Sequence, residues 1–162
     1  MNTRLNLARV LVLMGSTLAL CASSWCVTSA VTLWRPHTQA DLISQGVYAY
    51  HPWQSMGKYL NLGDQVTLTA MGQWTYSPQA VGLHGPEGGL PAPAYYPLPA
   101  APGGALLGRV GETGPVFYVG RRLSFVATAP GLLYLGINDD LLGDNVGELT
   151  VKVEVVTATP TP

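Results

Sequence analysis

Apolar and polar residues alternate strictly in two segments of this chain. Residues 65–70 read Gln-Val-Thr-Leu-Thr-Ala, and residues 149–155 read Leu-Thr-Val-Lys-Val-Glu-Val. A period of two with many β-branched residues is typical of strands that bury one face. Between them lie further short apolar runs, each followed by a turn signal: Ala105–Val110, Val116–Val119, Leu123–Thr128 and Leu132–Ile137. Because no stretch beyond residue 35 shows a helical period, the pattern predicts an all-β fold, an antiparallel β-sandwich.

The N-terminal part is different, since no charged residue occurs from Val10 to Trp34. A helix of that length can cross a hydrocarbon core of about 30 Å, and the two arginines before it would hold the N-terminus in the cytoplasm. A retained membrane anchor over residues 1–35 is therefore one interpretation. A cleaved secretory signal is the second, because a basic start, an apolar centre and small residues follow one another. Both place residues 36–156 outside the cytoplasm. A lipoprotein box ending at Cys21 is the third.

Charge and cysteine usage exclude several classes of function. Eight basic residues oppose nine acidic ones, and three of the basic residues lie within the first 35 positions. The rest of the chain therefore carries a net charge of about −4, which argues against nucleic acid as a partner. Cys21 and Cys26 both lie in the N-terminal stretch, which excludes a disulfide framework or a cysteine-ligated zinc site in the domain. No histidine stands in a recognisable nucleophile pattern, so we predict a protein that is not an enzyme.

Residues 78–104 interrupt the strand pattern with seven prolines and six glycines. Few backbone donors remain for a sheet ladder there, so we predict a long surface loop. Tyr95 and Tyr96 could stack on a sugar or a partner, or cover a flank of the sandwich. His51-Pro52-Trp53 could line a pocket, or Trp53 could close the end of the sandwich. The last residues, 157–162, form a Thr/Pro tail that we expect to be disordered or extended.

Three carboxylates and two amides lie within the ten-residue segment 138–147 of a chain with few charges. These residues are Asn138, Asp139, Asp140, Asp144 and Asn145. Oxygen ligands from one short loop suit a hard divalent cation, and Ca²⁺ best tolerates irregular geometry. Ordinary hairpin chemistry is the alternative, with Gly143 and Gly147 at positive φ. The segment, here called the acidic loop, is therefore a candidate calcium site.

Several segments together resemble the PA-I type galactophilic lectin family. They are Gly63–Ala70, Gly72–Pro78, Gly104–Gly111, Leu132–Asp139 and Asp144–Gly147. Their order and approximate spacing follow the family from about Val47 to Val156. Members of this family are small β-sandwiches that bind a sugar through a bridging Ca²⁺. The resemblance implies a sandwich of the jelly-roll or galactose-binding-like type for residues 36–156.

The resemblance also implies a set of calcium ligands. It assigns to the ion the backbone carbonyl of Tyr76, the carboxylate of Asp139 and side-chain oxygens of Asp144 and Asn145. Tyr76, Asp139, Asp140 and Asp144 would contact the sugar. The loop between Asp139 and Asp144 is two residues shorter than in the family, and the family's histidine-proline-x-glutamine clamp has no counterpart. Galactose specificity is therefore not implied.

Two functions follow from these observations. The first is an extracytoplasmic, calcium-dependent carbohydrate-binding module that resembles a lectin. The second is a membrane-anchored structural or assembly subunit whose calcium-stabilised sandwich docks on protein partners. Homo-oligomerisation is compatible with both. They differ at the metal, because a binding module leaves calcium coordination positions open, whereas protein oxygens close a structural site.

Overall fold

The computed structural model describes residues 40–76 and 82–157. The predicted N-terminal hydrophobic helix, as anchor or signal, lies outside these ranges, as does all but the first residue of the Thr/Pro tail. Within the two described ranges, no helix combines the length and apolar character that a membrane crossing requires.

The described residues form two four-stranded antiparallel sheets, which confirms the all-β prediction. The strands are β1 Asp41–Tyr48, β2 Gln54–Leu60, β3 Gln65–Thr75, β4 Leu106–Val110, β5 Phe117–Tyr118, β6 Arg122–Val126, β7 Gly131–Ile137 and β8 Val146–Val156. Sheet A has the order β1-β8-β3-β6, and sheet B has the order β2-β7-β4-β5. The only helix in these ranges is a single 3₁₀ turn at Leu142–Asp144.

Alternation along the strands builds the core. In β8 the side chains of Leu149, Val151 and Val153 are buried, while those of the residues between them are exposed. They belong to the same buried cluster as Leu133 and Leu135 of sheet B. Burying one such side chain contributes about 1.5–3 kcal/mol. Trp74 of β3 is fully buried in this core.

Two strands, β1 and β2, were not predicted from the sequence. In β1, most residues are exposed and the alternation is poor, yet the strand pairs with β8 along its whole length from Asp41↔Val155 to Tyr48↔Glu148. In β2 the register against β7 shifts between Ser55 and Tyr59, which breaks the period of two.

One end of the two sheets brings together the segments that carry the candidate site. Thr75, the last residue of β3, pairs with Val146, the first residue of β8. Tyr76 and Asn145 therefore leave this ladder on adjacent strands. The residue after β1 joins them, because the Ala49 N–H donates to the carbonyl of Gly147 at 3.0 Å.

Candidate functional site at the end of the sheets

A side-chain hydrogen bond joins the two ends of the acidic loop. Asn145 Nδ2 donates to Asp139 Oδ2 at 2.9 Å and to the backbone carbonyl of Ala49 at 3.1 Å. Both Asp139 and Asn145 are only 5 % exposed. Asp139 follows β7 of sheet B and Asn145 precedes β8 of sheet A, so this contact ties the two sheets together. The two hydrogen bonds also orient the Asn145 side-chain amide, so that Oδ1 points away from Asp139 Oδ2 and the Ala49 carbonyl.

Two side-chain oxygens in the loop are buried without a hydrogen-bond partner among the described residues. They are Asn145 Oδ1 and Asp144 Oδ1. Leaving a buried acceptor unsatisfied costs about 1–3 kcal/mol, and native proteins contain few such atoms. A cation that contacted both oxygens would compensate them. Carboxylate and amide oxygens are also the ligands that Ca²⁺ prefers, so the residues present fit that ion.

The local backbone explains how Asp144 is presented. Asp144 ends the 3₁₀ turn that begins at Leu142, and the N–H of Asn145 closes it on the Leu142 carbonyl at 3.3 Å. The sequence analysis expected positive φ at both glycines of the loop. Gly147 has φ 101°, but the expectation is wrong for Gly143, which lies within the 3₁₀ turn.

The hairpin alternative for this loop is also wrong. A hairpin joins neighbouring strands of one sheet, whereas β7 belongs to sheet B and β8 to sheet A. The acidic loop is instead a connection between the two sheets.

Tyr76 lies close to this cluster, but its side chain has a structural task. The Tyr76 hydroxyl accepts the N–H of Leu90 at 3.0 Å, and the side chain is 6 % exposed. Its ring packs edge-on against His84 and Tyr96, with centroid distances of 4.9 and 6.5 Å. The role of the Tyr76 carbonyl as a calcium ligand stays a prediction.

Asp140, the remaining predicted sugar contact, is exposed beside the buried Asp139. The structure thus brings Tyr76, Asp139, Asp144 and Asn145 to one end of the sheets and leaves Asp140 at the rim. Within the two described ranges, no three His, Cys, Asp or Glu side chains cluster as metal ligands. An ion held by the predicted set would therefore depend on amide and carbonyl oxygens in addition to the two carboxylates.

Tyr96 reaches the site from the proline-rich loop. Burial raises the pKa of Tyr96 above its ordinary value, and a hydrogen bond with the carboxylate of Asp139 raises it further. The Tyr96 phenol, which is protonated at neutral pH like any tyrosine, therefore lies beside the carboxylate of Asp139. Its neighbour Tyr95 is 70 % exposed. The sequence suggested an aromatic surface for this pair but gave no sign that Tyr96 contacts the acidic loop.

Asn138 holds the proline-rich loop in place and was not recognised as doing so from the sequence. This fully buried residue accepts the N–H of Leu98 at 3.0 Å through Oδ1. Its Nδ2 donates to the carbonyls of Leu98, Ala101 and Pro102 at 3.0–3.1 Å. The side chain of Asn138 is therefore occupied within the protein, unlike the oxygens of Asp144 and Asn145.

A small cavity of about 80 Å³ opens beside Asp139. His51, Pro52 and Trp53 form one side of it, and Pro97 and Asp139 belong to the other walls. Of the two alternatives that the sequence left open for the His51-Pro52-Trp53 segment, the structure therefore shows the pocket lining. Trp53 lies over the face of sheet B, where a Cβ at Gly136 would come within 3.3 Å of its ring. The glycine therefore gives the indole room to rest on the strand.

Comparison with known proteins agrees with this architecture. Among solved structures, the chain is similar to one described as "EclA N-terminal domain; PllA-like lectin", with 26 % sequence identity and a TM-score of 0.58 over 70 % of this chain and 97 % of that one. No protein-family model and no curated protein sequence matches the chain. The likeness supports a lectin-like fold without showing the PA-I type galactophilic family itself. A lectin-like neighbour also favours a binding domain over an enzyme.

Proposed function

We propose that this protein is an extracytoplasmic, calcium-dependent carbohydrate-binding module. The observation that carries the proposal is the pair of buried, unpartnered oxygens on Asp144 and Asn145 at the end of a lectin-like fold. The uncharged N-terminal stretch, as anchor or cleaved signal, supports a location outside the cytoplasm.

The proposed ligand set follows from the contacts around these oxygens. Asp139, Asp144 and Asn145 would hold the ion with their side chains, and Tyr76 with its carbonyl. A bound Ca²⁺ supplies a fixed charge that orients neighbouring sugar hydroxyls. Asn145 donates a hydrogen bond to Asp139, and the Tyr96 hydroxyl lies beside the same carboxylate, so both would position it before any ligand arrives. The exposed carboxylate of Asp140 would accept hydrogen bonds from the sugar at the rim.

Calcium titration of the purified full-length protein, after removal of divalent ions, tests the metal. We expect saturable binding and a melting temperature that rises in calcium and falls again with chelator. A ligand at 100 times its dissociation constant stabilises the folded state by about 2.7 kcal/mol. Asp139→Ala should abolish this gain. Asp64→Ala is the matched control, because Asp64 is a buried carboxylate at the other end of β3, and it should keep the calcium response.

A glycan array in calcium and in chelator tests the sugar. Binding that needs calcium and is lost in Asp139→Ala supports the proposal. Stability and glycan binding that ignore calcium would refute it. If the protein instead co-purifies with a membrane complex, and Asp139→Ala leaves that association intact, the assembly-subunit function takes its place.

A further inference from the structure

Arg109 lies between two aromatic rings on the outer face of sheet B. Its guanidinium carbon is 4.5 Å from the ring centroid of Trp53 and 5.5 Å from that of Tyr134. Arg109 and Tyr134 are directly paired across β4 and β7, and the neighbouring Leu135 points into the core. The strand register therefore aims Arg109 away from the core and under the indole.

No described anion neutralises this guanidinium. The two ion pairs among the described residues are Lys58–Asp41 and Arg121–Glu87, and neither includes Arg109. Arg109 is partly buried, and its Nε is fully buried without a hydrogen-bond partner in that part of the chain. Aromatic rings attract a cation through their faces but satisfy none of its N–H donors. A ligand could not reach the buried Nε, but the two terminal nitrogens of the guanidinium also have no hydrogen-bond partner among the described residues and are not buried, so they are suited to an incoming anion.

Trp53 connects Arg109 to the site at the end of the sheets. The indole stacks on Arg109 and also lines the cavity that Asp139 borders. Trp53 thus bridges the cavity beside the Asp139 carboxylate and the guanidinium of Arg109. A ligand that contacts both would need hydroxyl groups at one end and negative charge at the other.

From this arrangement we infer that the protein prefers acidic oligosaccharides, with a sugar carboxylate bound by Arg109 while a neighbouring sugar occupies the Asp139 site. This inference rests on the proposed function, since the sugar at Asp139 is the proposed ligand. A carboxylate matches the planar guanidinium with two parallel hydrogen bonds, and the rings of Trp53 and Tyr134 hold that plane in one orientation. Arg109 is thereby a specificity-determining residue that lies apart from the metal site.

The test compares matched oligosaccharides in calcium by isothermal titration calorimetry. One member of each pair ends in a uronic acid, and the other is the same oligosaccharide with that carboxyl reduced to the alcohol. We expect the acidic member to bind about 10–100-fold more tightly, the range for a charge-assisted pair. Added salt should reduce this preference.

Variants assign the preference to Arg109. Arg109→Gln should equalise the two affinities while the neutral member binds as before, and Arg109→Lys should retain part of the preference because it keeps the charge without the planar fork. Arg122→Gln, which removes an exposed arginine from sheet A, is the matched control and should change neither affinity. If Arg109→Gln fails to fold, Arg109→Lys and the salt dependence still decide.

The outcomes separate this inference from the proposed function. Equal affinities of the wild-type protein for the acidic and the neutral member would overturn the acidic subsite. A preference for the acidic member that survives in Arg109→Gln would do the same. In both cases the proposed function stands if binding of the neutral member still depends on Asp139. Absence of binding to any member, with a normal melting curve, overturns both.

Discussion

Two segments with buried acidic or amide side chains lie beyond the two ends of β3. They differ in whether the side-chain oxygens have hydrogen-bond partners. Asp64, just before the strand, is 1 % exposed and accepts the N–H of Asn61 at 2.8 Å through Oδ2. The acidic loop lies past the other end, roughly 35 Å away for an eleven-residue strand. There, Asp144 Oδ1 and Asn145 Oδ1 are buried with no partner among the described residues.

The difference arises from what each segment connects. The Asp64 turn is tight, and the carboxylate finds its donor three residues earlier in the same turn. The acidic loop crosses from sheet B to sheet A, so its backbone donors are not directed at these side chains. Residue type alone therefore does not separate a structural carboxylate from one that is free for a ligand. The hydrogen-bond partners do.

Substitution of Asn138 should have the largest effect within the acidic loop, because the side chain of Asn138, like that of Asp64, has hydrogen-bond partners within the protein. Asn138→Ala removes the four hydrogen bonds that hold residues 98, 101 and 102 and leaves their backbone groups unpaired. We expect a loss of about 3 kcal/mol in the free energy of unfolding, measured by urea denaturation in chelator. Asn138→Asp is the control that keeps size and one acceptor, and it should lose most of the same bonds. A loss below about 0.5 kcal/mol in Asn138→Ala would show that the loop is held by other contacts.

Truncation of Asp64 should lower the free energy of unfolding when calcium is absent, whereas truncation of Asp144 should not. Asp64→Ala removes an acceptor that has its hydrogen-bond donor and exposes the turn, so we expect a loss of about 2 kcal/mol in the free energy of unfolding. Asp144→Ala removes a carboxylate whose buried oxygen has no partner, so its stability in chelator should stay unchanged or rise by up to about 1 kcal/mol. Urea denaturation of both variants, with and without calcium, measures the contrast.

Calcium should reverse the order of these two variants. Only Asp144→Ala should lose the stabilisation that the ion gives to the wild-type protein. Equal losses for the two variants in chelator would mean that the acidic loop is as self-contained as the Asp64 turn, and the comparison between the two ends would fail.

The sequence predicts the sheets better than it predicts the contacts of the site. Alternation located β3 and β8, since their buried faces exclude polar residues at every second position. It missed β1, whose outward residues and edge position place few demands on its composition, and β2, where a register shift interrupts the period. Neither strand carries a local signal that distinguishes it from loop.

For the site, the residues were predicted but their hydrogen-bond partners were not. Acidic and amide residues close in sequence indicated oxygen ligands, whatever the loop conformation. The roles of Asn138 and Tyr96 depend on the proline-rich loop, which meets the acidic loop after a separation of about 40 residues. Contacts of that range follow from the path of the whole chain, so no short segment encodes them.

Tyr96 gives the smallest expected effect and tests whether Asp139 is positioned before an ion binds. Tyr96→Phe removes the hydroxyl that interacts with this carboxylate, and we expect a loss of about 1 kcal/mol in the free energy of unfolding, in chelator near neutral pH. The pKa of Tyr96 is raised in the folded state, so its contribution to stability is complete below the ordinary tyrosine value of about 10. Above that pH the unfolded state releases its proton first, and the stability of the wild-type protein falls. The Phe variant lacks this part of the decline. The difference in the free energy of unfolding between the two proteins should therefore narrow as the pH rises from 9 to about 11. A gap that stays constant over this range would mean that the Tyr96 hydroxyl is solvated and that Asp139 is oriented by Asn145 alone.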